Sequence, residues 1–177
     1  MTESPSNTEL ATLGAGCFWC VEAVLSRLDG VLEARSGFMG GDPARTSYRE
    51  VCTGTTGHAE VVQVRFDPTR ISYDELLSWF WRLHDPTTRD RQGNDVGPQY
   101  RSVIFTHSAE QEQAAKASRD AAEASGSFAG PIVTEIAAAG AFHPAEEEHD
   151  DYYARNKDQG YCRMVIAPKL EKLGFDD

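Results

Sequence analysis

Two cysteines separated by two aromatic residues form the stretch of the chain best suited to chemistry, Gly16-Cys17-Phe18-Trp19-Cys20. A glycine-rich turn precedes this stretch and apolar residues at helical spacing follow it, which predicts Cys17 at or just before a helix N-terminus. Free N–H groups and the positive end of the helix dipole stabilise a thiolate there, and the thiolate is the nucleophilic form of cysteine. The pattern indicates an activated sulfur at Cys17, beside an aromatic wall of Phe18 and Trp19 for a small uncharged group.

Other interpretations of this stretch stay open at this point. A buried cysteine can simply be a small core residue, and a Cys-x-x-Cys pair is also typical of disulfide oxidoreductases and of zinc sites. One alternative is therefore a general thiol–disulfide oxidoreductase that uses Cys17 and Cys20. Another is a zinc-binding interaction module with two of His58, His143 and His149 as further ligands. The zinc alternative is the weaker one, because the chain has a single cysteine pair at zinc spacing.

A carboxyl group on an apolar face is the second candidate for chemistry. In the strand predicted over 58–66, Glu60 shares one side of the period-two pattern with Val62, Val64 and Phe66. Burial on such a face raises the pKa of a carboxyl and favours the neutral acid, which a proton donor near neutral pH requires. The alternative is an open strand end that leaves Glu60 solvated.

The composition sets limits on the partners of the protein. The chain has 177 residues, four cysteines and a net charge of −11. This charge argues against nucleic-acid binding and against binding to anionic membranes, and no apolar run is long enough to span a bilayer. The first nine residues are polar and lack the pattern of a signal peptide, so we expect a cytoplasmic monomer. Cysteines in that compartment are more often reactive than paired in structural disulfides.

The elements that must position these residues alternate along the chain. Helical and strand patterns follow in the order strand, helix, strand, strand, helix, strand, which predicts an α+β fold, a ferredoxin-like split βαβ two-layer sandwich with additional helices. We expect a disordered lead over 1–9 and a single catalytic domain over 10–177. Pro144 is predicted to start a late helix, and 157–177 is predicted to be a coiled tail that carries Cys162. The main predicted elements are strands at 10–13, 31–37, 58–66, 102–106 and 132–136, and helices after Cys17, after Ser72 and over 109–124.

Four motifs in this order resemble the peptide methionine sulfoxide reductase A family. They are Gly16-Cys17-Phe18-Trp19, the Gly40-Gly41 loop through Ser47-Tyr48, Gly57-His58-Ala59-Glu60-Val61-Val62, and His84-Asp85-Pro86-Thr87 through Gly93-Asn94-Asp95-Val96-Gly97 to Gln99-Tyr100-Arg101-Ser102. Gly160-Tyr161-Cys162 near the end also fits. Each motif alone is weak, but the ordered set covers most of the chain from about 12 to 162 and is highly specific.

The resemblance implies reduction of methionine S-sulfoxide, free or in proteins. Cys17 attacks the sulfoxide sulfur, and Glu60 gives a proton to the departing oxygen. Tyr48 and Tyr100 donate hydrogen bonds to that oxygen, and Asp95 supports the hydrogen bonding around the site. The products are methionine and a sulfenic acid on Cys17.

The resemblance also implies that Phe18 and Trp19 hold the substrate methyl group. It implies no metal or prosthetic cofactor, with thioredoxin as the external reductant through thiol–disulfide exchange.

The cysteine that resolves the sulfenic acid is the point on which the chain departs from the family pattern. Cys162 matches the family's C-terminal resolving cysteine, but Cys20 stands where the motif usually ends in glycine. We expect Cys162 to resolve the sulfenic acid, with Cys20 as a close alternative or as part of a relay, and Cys52 as a bystander. Another departure is Phe38-Met39 in place of the family's more common tyrosine, which is expected to alter the rim of the pocket.

Overall fold

A mostly antiparallel sheet, in which only β6 and β7 pair in parallel, organises the residues that the computed structural model describes, 7–175. Of the predicted disordered lead, 1–6 lie outside the described residues, and the first strand already begins at Glu9. The strands are β1 (Glu9–Ala15), β2 (Val31–Met39), β3 (Ala59–Phe66), β4 (Arg91–Gln92), β5 (Asp95–Val96), β6 (Ser102–Thr106), β7 (Glu135–Ala138) and β8 (His143–Pro144).

Helices connect these strands and cover the sheet. They are α1 (Phe18–Leu25), α2 (Tyr48–Val51), α3 (Tyr73–Leu83), α4 (Ala109–Ala124), α5 (Tyr152–Arg155) and α6 (Ala167–Lys172). Short 3₁₀ turns form at Pro98–Tyr100 and Glu147–His149, and a π-helical turn at Cys162–Ile166 leads directly into α6. Within 7–175 no helix has the length and apolar character that a membrane span needs.

The strand order confirms the predicted split βαβ fold. The six-stranded sheet has the order β7-β6-β1-β3-β2-β8, and β4 and β5 form a separate two-stranded ribbon. In the sheet, β1 lies between β3 and β6 and is antiparallel to both. The helical crossovers α1 and α3 therefore each return the chain to a strand parallel to the one it left, as this fold requires.

Local sequence signals explain the elements next to the site. Along β3, Val62, Val64 and Phe66 are fully buried on the face that carries Glu60 and pack into the main core with α1, as the period-two pattern predicts. At the start of α3, the Ser72 hydroxyl accepts a hydrogen bond from the Glu75 N–H at 3.1 Å, which is the predicted cap.

Two predictions for the C-terminal part are wrong. Pro144 lies in β8 rather than at the start of a helix, because its neighbourhood pairs with the edge of β2. The tail is helical from Cys162 to Lys172 rather than coiled. Ile166 and Leu170, four residues apart, are buried against the core and stabilise this helical segment, and Pro168 lies in the first turn of α6, the position at which proline is best tolerated. Of the predicted tail, 176–177 lie outside the described residues.

Candidate active site

Cys17 is the N-cap of α1, as its sequence position predicts. The turn that places it there depends on Gly16, which has φ +94°, a value that L side chains rarely adopt. A Cβ at Gly16 would also lie 2.8 Å from the Cβ and Cγ of Gln92. The β4 segment thus packs directly over the turn that leads to the nucleophile.

Glu60 reaches the same helix start from the neighbouring strand. Its Oε1 accepts a hydrogen bond from the Phe18 N–H at 3.2 Å, and its side chain is 1% exposed. Oε2 is buried and has no hydrogen-bond partner among residues 7–175. Burial raises the pKa of Glu60 to about 8, outweighing the hydrogen bond from Phe18, so the acid is predominantly protonated at neutral pH. Because Oε1 is an acceptor, the acid proton resides on Oε2.

The ionisation state of Cys17 differs from the sequence prediction. Burial raises the pKa of the Cys17 thiol well above its ordinary value, and the Cys20 thiol and the charge of Glu60 raise it further. A backbone hydrogen bond from Trp19 acts in the opposite direction but is outweighed. The helix N-terminus is present, yet desolvation is the larger effect, so Cys17 is a neutral thiol in the ligand-free protein.

Cys20, one turn later, shares a hydrogen bond with Cys17. This interaction and the charge of Lys169 lower the pKa of Cys20 to about 7, against the effect of its burial. The two thiols form one coupled unit, in which negative charge is more stable on Cys20 than on Cys17.

Tyr48 and Tyr100 both lie near Glu60 and Cys17, whose charges act on them. Tyr48 begins α2, where the Ser47 cap and a hydrogen bond from its own N–H to Glu146 Oε1 at 3.0 Å fix it. Tyr100 ends the 3₁₀ turn before β6. Burial raises the pKa of both phenols, and the charges of Glu60 and Cys17 add to this, so both hydroxyls are protonated donors close to the nucleophile and the acid.

Asp95 is held in the site by Tyr161, a residue to which the sequence pattern assigned no role of its own. The Tyr161 hydroxyl donates to Asp95 Oδ2 at 2.8 Å and lies 3.7 Å from the Cys20 sulfur. Tyr161 belonged to a quoted motif, Gly160-Tyr161-Cys162, so its position next to a predicted resolving cysteine was the available signal.

The aromatic wall is present but covered. Phe18 is fully buried among other rings, while the Trp19 indole stacks on Tyr152 with ring centroids 3.8 Å apart and planes within 8°. The Trp19 ring N–H donates to His149 Nδ1 at 3.1 Å. Tyr152 and His149 are thus two further residues of the site that pattern alone did not identify.

Phe38 and Met39 lie fully buried at the end of β2 rather than in the glycine loop, and the Phe38 ring centroid is 5.6 Å from that of Phe18. Their effect on the rim of the pocket stays a prediction.

The four cysteines are free and occupy distinct places. Cys162 is fully buried next to Cys20, whose charge acts on it, at the start of the helical tail that packs against α1. Cys52 is exposed at the end of α2 and hydrogen-bonds with the Tyr48 side chain. Cys17 hydrogen-bonds with Cys20, and the charge of Cys20 acts on Cys162.

A second buried carboxyl supports the site from the middle of α1. Glu22 is 3% exposed, accepts hydrogen bonds from the Ser36 hydroxyl at 2.9 Å and from the Asp151 N–H at 3.0 Å, and so fixes the turn before Tyr152. Burial raises its pKa to about 7.

The histidines considered as zinc ligands have other partners. His58 accepts from the Gly41 N–H at 3.0 Å and contacts the Asp42 carbonyl at 2.8 Å, and so holds the glycine loop. Across 7–175 no three His, Cys, Asp or Glu side chains are grouped closely enough to hold a metal ion.

Comparison with known proteins agrees with this geometry. A family model described as peptide methionine sulfoxide reductase matches residues 9–176. A relative from Halobacterium salinarum, named peptide methionine sulfoxide reductase MsrA, is 51% identical over 166 residues, 94% of each chain. The reduced form of Mxr1 from Saccharomyces cerevisiae superposes with a TM-score of 0.83 at 33% identity and covers 91% of this chain and 92% of that one.

Mxr1 in complex with Trx2 gives a TM-score of 0.59 at 25% identity, over 86% of this chain and 89% of that one. The fold, the thiol and acid at the helix start and these similarities have one explanation: the chain belongs to the peptide methionine sulfoxide reductase A family, oxidoreductases that reduce methionine sulfoxide with their thiols.

Proposed function

We propose that Cys17 is the nucleophile and Glu60 the proton donor for reduction of the S epimer of methionine sulfoxide, free or protein-bound. The observation that carries this assignment is the protonated Oε2 of Glu60, which is buried near the Cys17 thiol and has no hydrogen-bond partner in the described part of the chain. A buried acid without a partner is costly in a protein unless a ligand completes its hydrogen bonding. The sulfoxide oxygen is an acceptor that would complete it.

The reaction balances with these groups alone. The Cys17 sulfur attacks the sulfoxide sulfur, the oxygen takes the Glu60 proton, and the thiol proton returns to the Glu60 carboxylate. Transfer of the oxygen leaves methionine and a sulfenic acid on Cys17. Tyr48 and Tyr100 donate hydrogen bonds to the oxygen as charge develops on it, and their raised pKa values keep both hydroxyls protonated for this role. Phe18 and Trp19 form the apolar contact for the substrate methyl group.

The resolving order that the geometry favours is Cys20 first and Cys162 second. Cys20 already hydrogen-bonds with Cys17 and ionises more readily than Cys17. Its thiol attacks the sulfenic acid, which gives a Cys17–Cys20 disulfide and water. Cys162, buried beside Cys20, then attacks the Cys20 sulfur, forms a Cys20–Cys162 disulfide and releases the Cys17 thiol.

We propose that thioredoxin reduces the final disulfide. We also propose that the protein is a monomer and acts in the cytoplasm. Support comes from the complex of Mxr1 with Trx2. The proposed chemistry needs no metal or prosthetic cofactor, because two thiols supply both electrons for each sulfoxide reduced.

Single-turnover analysis with each sulfoxide epimer tests these assignments. Cys17→Ser should form no methionine, while Cys52→Ser, which alters the exposed cysteine at the end of α2, should retain the rate within about twofold. Peptide mapping after one turnover should find a Cys17–Cys20 disulfide first and a Cys20–Cys162 disulfide later. In Cys162→Ser the first disulfide should form and persist. Methionine release by Cys17→Ser, or a first disulfide from Cys17 to Cys162, would contradict the scheme.

A further inference from the structure

The Cys20 sulfur is connected to a carboxylate through one tyrosine hydroxyl. Tyr161 Oη lies 3.7 Å from Cys20 Sγ and 2.8 Å from Asp95 Oδ2. A tyrosine hydroxyl has a single hydrogen, and an ionised carboxylate can only accept, so the Tyr161 hydrogen points to Asp95. When Cys20 is a thiol, the remaining contact is therefore the one that its S–H donates to the Tyr161 oxygen.

This chain of hydrogen bonds has a direction, from Cys20 through Tyr161 to Asp95. We infer that Tyr161 and Asp95 form a proton relay that removes the Cys20 proton as Cys20 attacks the sulfenic acid on Cys17. The inference rests on the proposed role of Cys20 as first resolving thiol. The relay supplies a base for the attack of Cys20 on the sulfenic acid, a step for which Glu60 supplies only an acid.

The relay balances the resolving step. The Cys20 sulfur forms a bond to the Cys17 sulfur, and the Cys17 sulfur–oxygen bond breaks with its electron pair on oxygen. The Cys20 proton passes to Tyr161 while the Tyr161 proton passes to Asp95. The leaving oxygen takes the Glu60 proton and departs as water, and exchange of protons with solvent restores Asp95 and Glu60. The net change is one sulfenic acid and one thiol converted to one disulfide and one water.

The surroundings of Cys20 favour a base at this position. The charged and titratable groups that act on its sulfur come from every element packed against it: Cys17 at the start of α1, Glu60 on β3, Asp95 on β5, Tyr161 and Cys162 in the tail, and Lys169 on α6. Lys169 stabilises the thiolate as it forms. Asp95 is partly exposed, so it exchanges the proton with water readily, whereas Cys20 is 2% exposed and exchanges its own proton with water more slowly.

The test separates the two chemical steps in one enzyme. Fully reduced protein is mixed with one equivalent of a methionine S-sulfoxide peptide and quenched in acid. Released methionine is measured, and the remaining free thiols are counted by alkylation and mass spectrometry. In a second arm, Cys52→Ser protein is treated with one equivalent of hydrogen peroxide, and mass spectrometry with a sulfenic-acid trap locates the oxidised cysteine. Closure is then followed without any sulfoxide chemistry in the molecules whose sulfenic acid is on Cys17.

Tyr161→Phe should leave the methionine-forming rate within about twofold and slow Cys17–Cys20 closure at least tenfold at about pH 5.5, where Cys20, with a pKa of about 7, is a thiol, since a general base contributes a factor of about 10² or more. Closure in the variant should accelerate with pH as Cys20 loses its proton to solvent, whereas closure in the wild type should depend only weakly on pH. Asp95→Asn, which retains a hydrogen-bond acceptor but not a proton acceptor, should reproduce this pH dependence. Tyr73→Phe, which removes a buried hydroxyl without a hydrogen-bond partner at the start of α3, is the matched control and should close at the wild-type rate.

Unchanged closure in Tyr161→Phe, or closure slowed by the same factor at every pH, would overturn the relay. A loss of methionine formation in this variant would assign Tyr161 to the first step instead and would also overturn it. Failure of the wild type to release methionine would refute the proposed function, while the peroxide arm would still show whether the relay operates.

Discussion

The Phe18 N–H donates to Glu60 Oε1 at 3.2 Å, so the first residue of α1 holds the buried acid through its backbone. Cys17 caps the same helix. The turn that presents the nucleophile therefore also orients the acid, and it leaves the proton on the oxygen that has no partner within 7–175. Glu60 lies 43 positions after Cys17 in the sequence. The Phe18 backbone alone connects the two residues in space, and no other side chain is needed between them.

Glu60→Gln should slow methionine formation about 10²- to 10⁴-fold, because the amide cannot release a proton to the sulfoxide oxygen. In the wild type, the single-turnover rate should be flat below pH 8 and fall tenfold per pH unit above it, since the pKa of Glu60 is about 8 and the protonated acid is required. Rapid-quench measurements from pH 6 to 10 test this. Glu33→Gln, on the exposed side of β2, is the control and should keep the wild-type profile. A wild-type rate that rises through pH 8 would contradict the assignment.

Protein stability should fall as the pH rises, through the same acid and through Glu22. The pKa of Glu60 is about 8 and that of Glu22 about 7 in the folded protein, both above the ordinary value of 4.5. Between pH 4.5 and the raised pKa of each carboxyl, the folded state therefore binds more protons than the unfolded chain. Over that pH range each carboxyl lowers the free energy of unfolding by up to about 1.4 kcal/mol per pH unit.

Urea unfolding at pH 5, 7 and 8.5 tests this pH dependence. The stability of Glu60→Gln relative to the wild type should rise from pH 5 to 8.5, while that of Glu22→Gln should rise mainly below pH 7. Parallel curves for both variants and the wild type would show that neither carboxyl changes its pKa on folding.

Gly16→Ala should destabilise the protein by about 1–3 kcal/mol and reduce activity. Its backbone is in the left-handed region, and the new Cβ would press on Gln92 at 2.8 Å, which would displace the turn that presents Cys17. Gly160→Ala is the matched control, because within 7–175 its Cβ would meet no atom within 4 Å beyond its own stretch of helix, and its φ is not in the left-handed region. Thermal unfolding and single-turnover rates should separate the two variants, and equal effects would contradict the role given to Gly16.

Tyr152→Ala should change substrate affinity more than the chemical step. The stack on Trp19 at 3.8 Å fixes the orientation of the indole, and aromatic pairs of this kind contribute about 0.5–1.5 kcal/mol. We expect KM for a sulfoxide peptide to rise up to about tenfold with kcat within twofold, and Tyr152→Phe to restore the wild-type KM. A fall in kcat at unchanged KM would place Tyr152 in the reaction itself.

Periodicity and spacing were sufficient for the parts of the site that lie on regular elements. The alternation along β3 placed Glu60 on the core face, and the glycine turn placed Cys17 at a helix start, because both depend on local geometry that the sequence expresses directly. The ionisation of Cys17 was not predictable in the same way. Its pKa depends on how much of the fold covers the sulfur, and that cover comes from elements distant in sequence.

The C-terminal part shows the same limit more clearly. Pro168 and the flanking Gly160 and Gly174 indicated coil for this part, although residues 162–172 also contain strong helix formers. Burial of Ile166 and Leu170 against the core overrides that preference, and this tertiary contact also brings Tyr161 to Cys20 and Asp95. A tyrosine whose role depends on two partners from different segments has no signature in its own neighbourhood.

The helical tail limits how the final disulfide can be reduced. The exposed fractions of Cys20 and Cys162, which form the proposed final disulfide, are 2% and 0%, so the cysteine of another globular protein cannot reach either sulfur while the tail is in place. Reduction of an oxidised molecule must therefore wait for the last turns of the chain to lift away from α1. At high reductant concentration the overall turnover will saturate at the frequency of that opening, and an amino-acid change that loosens the tail will accelerate the cycle without altering the chemistry beneath it.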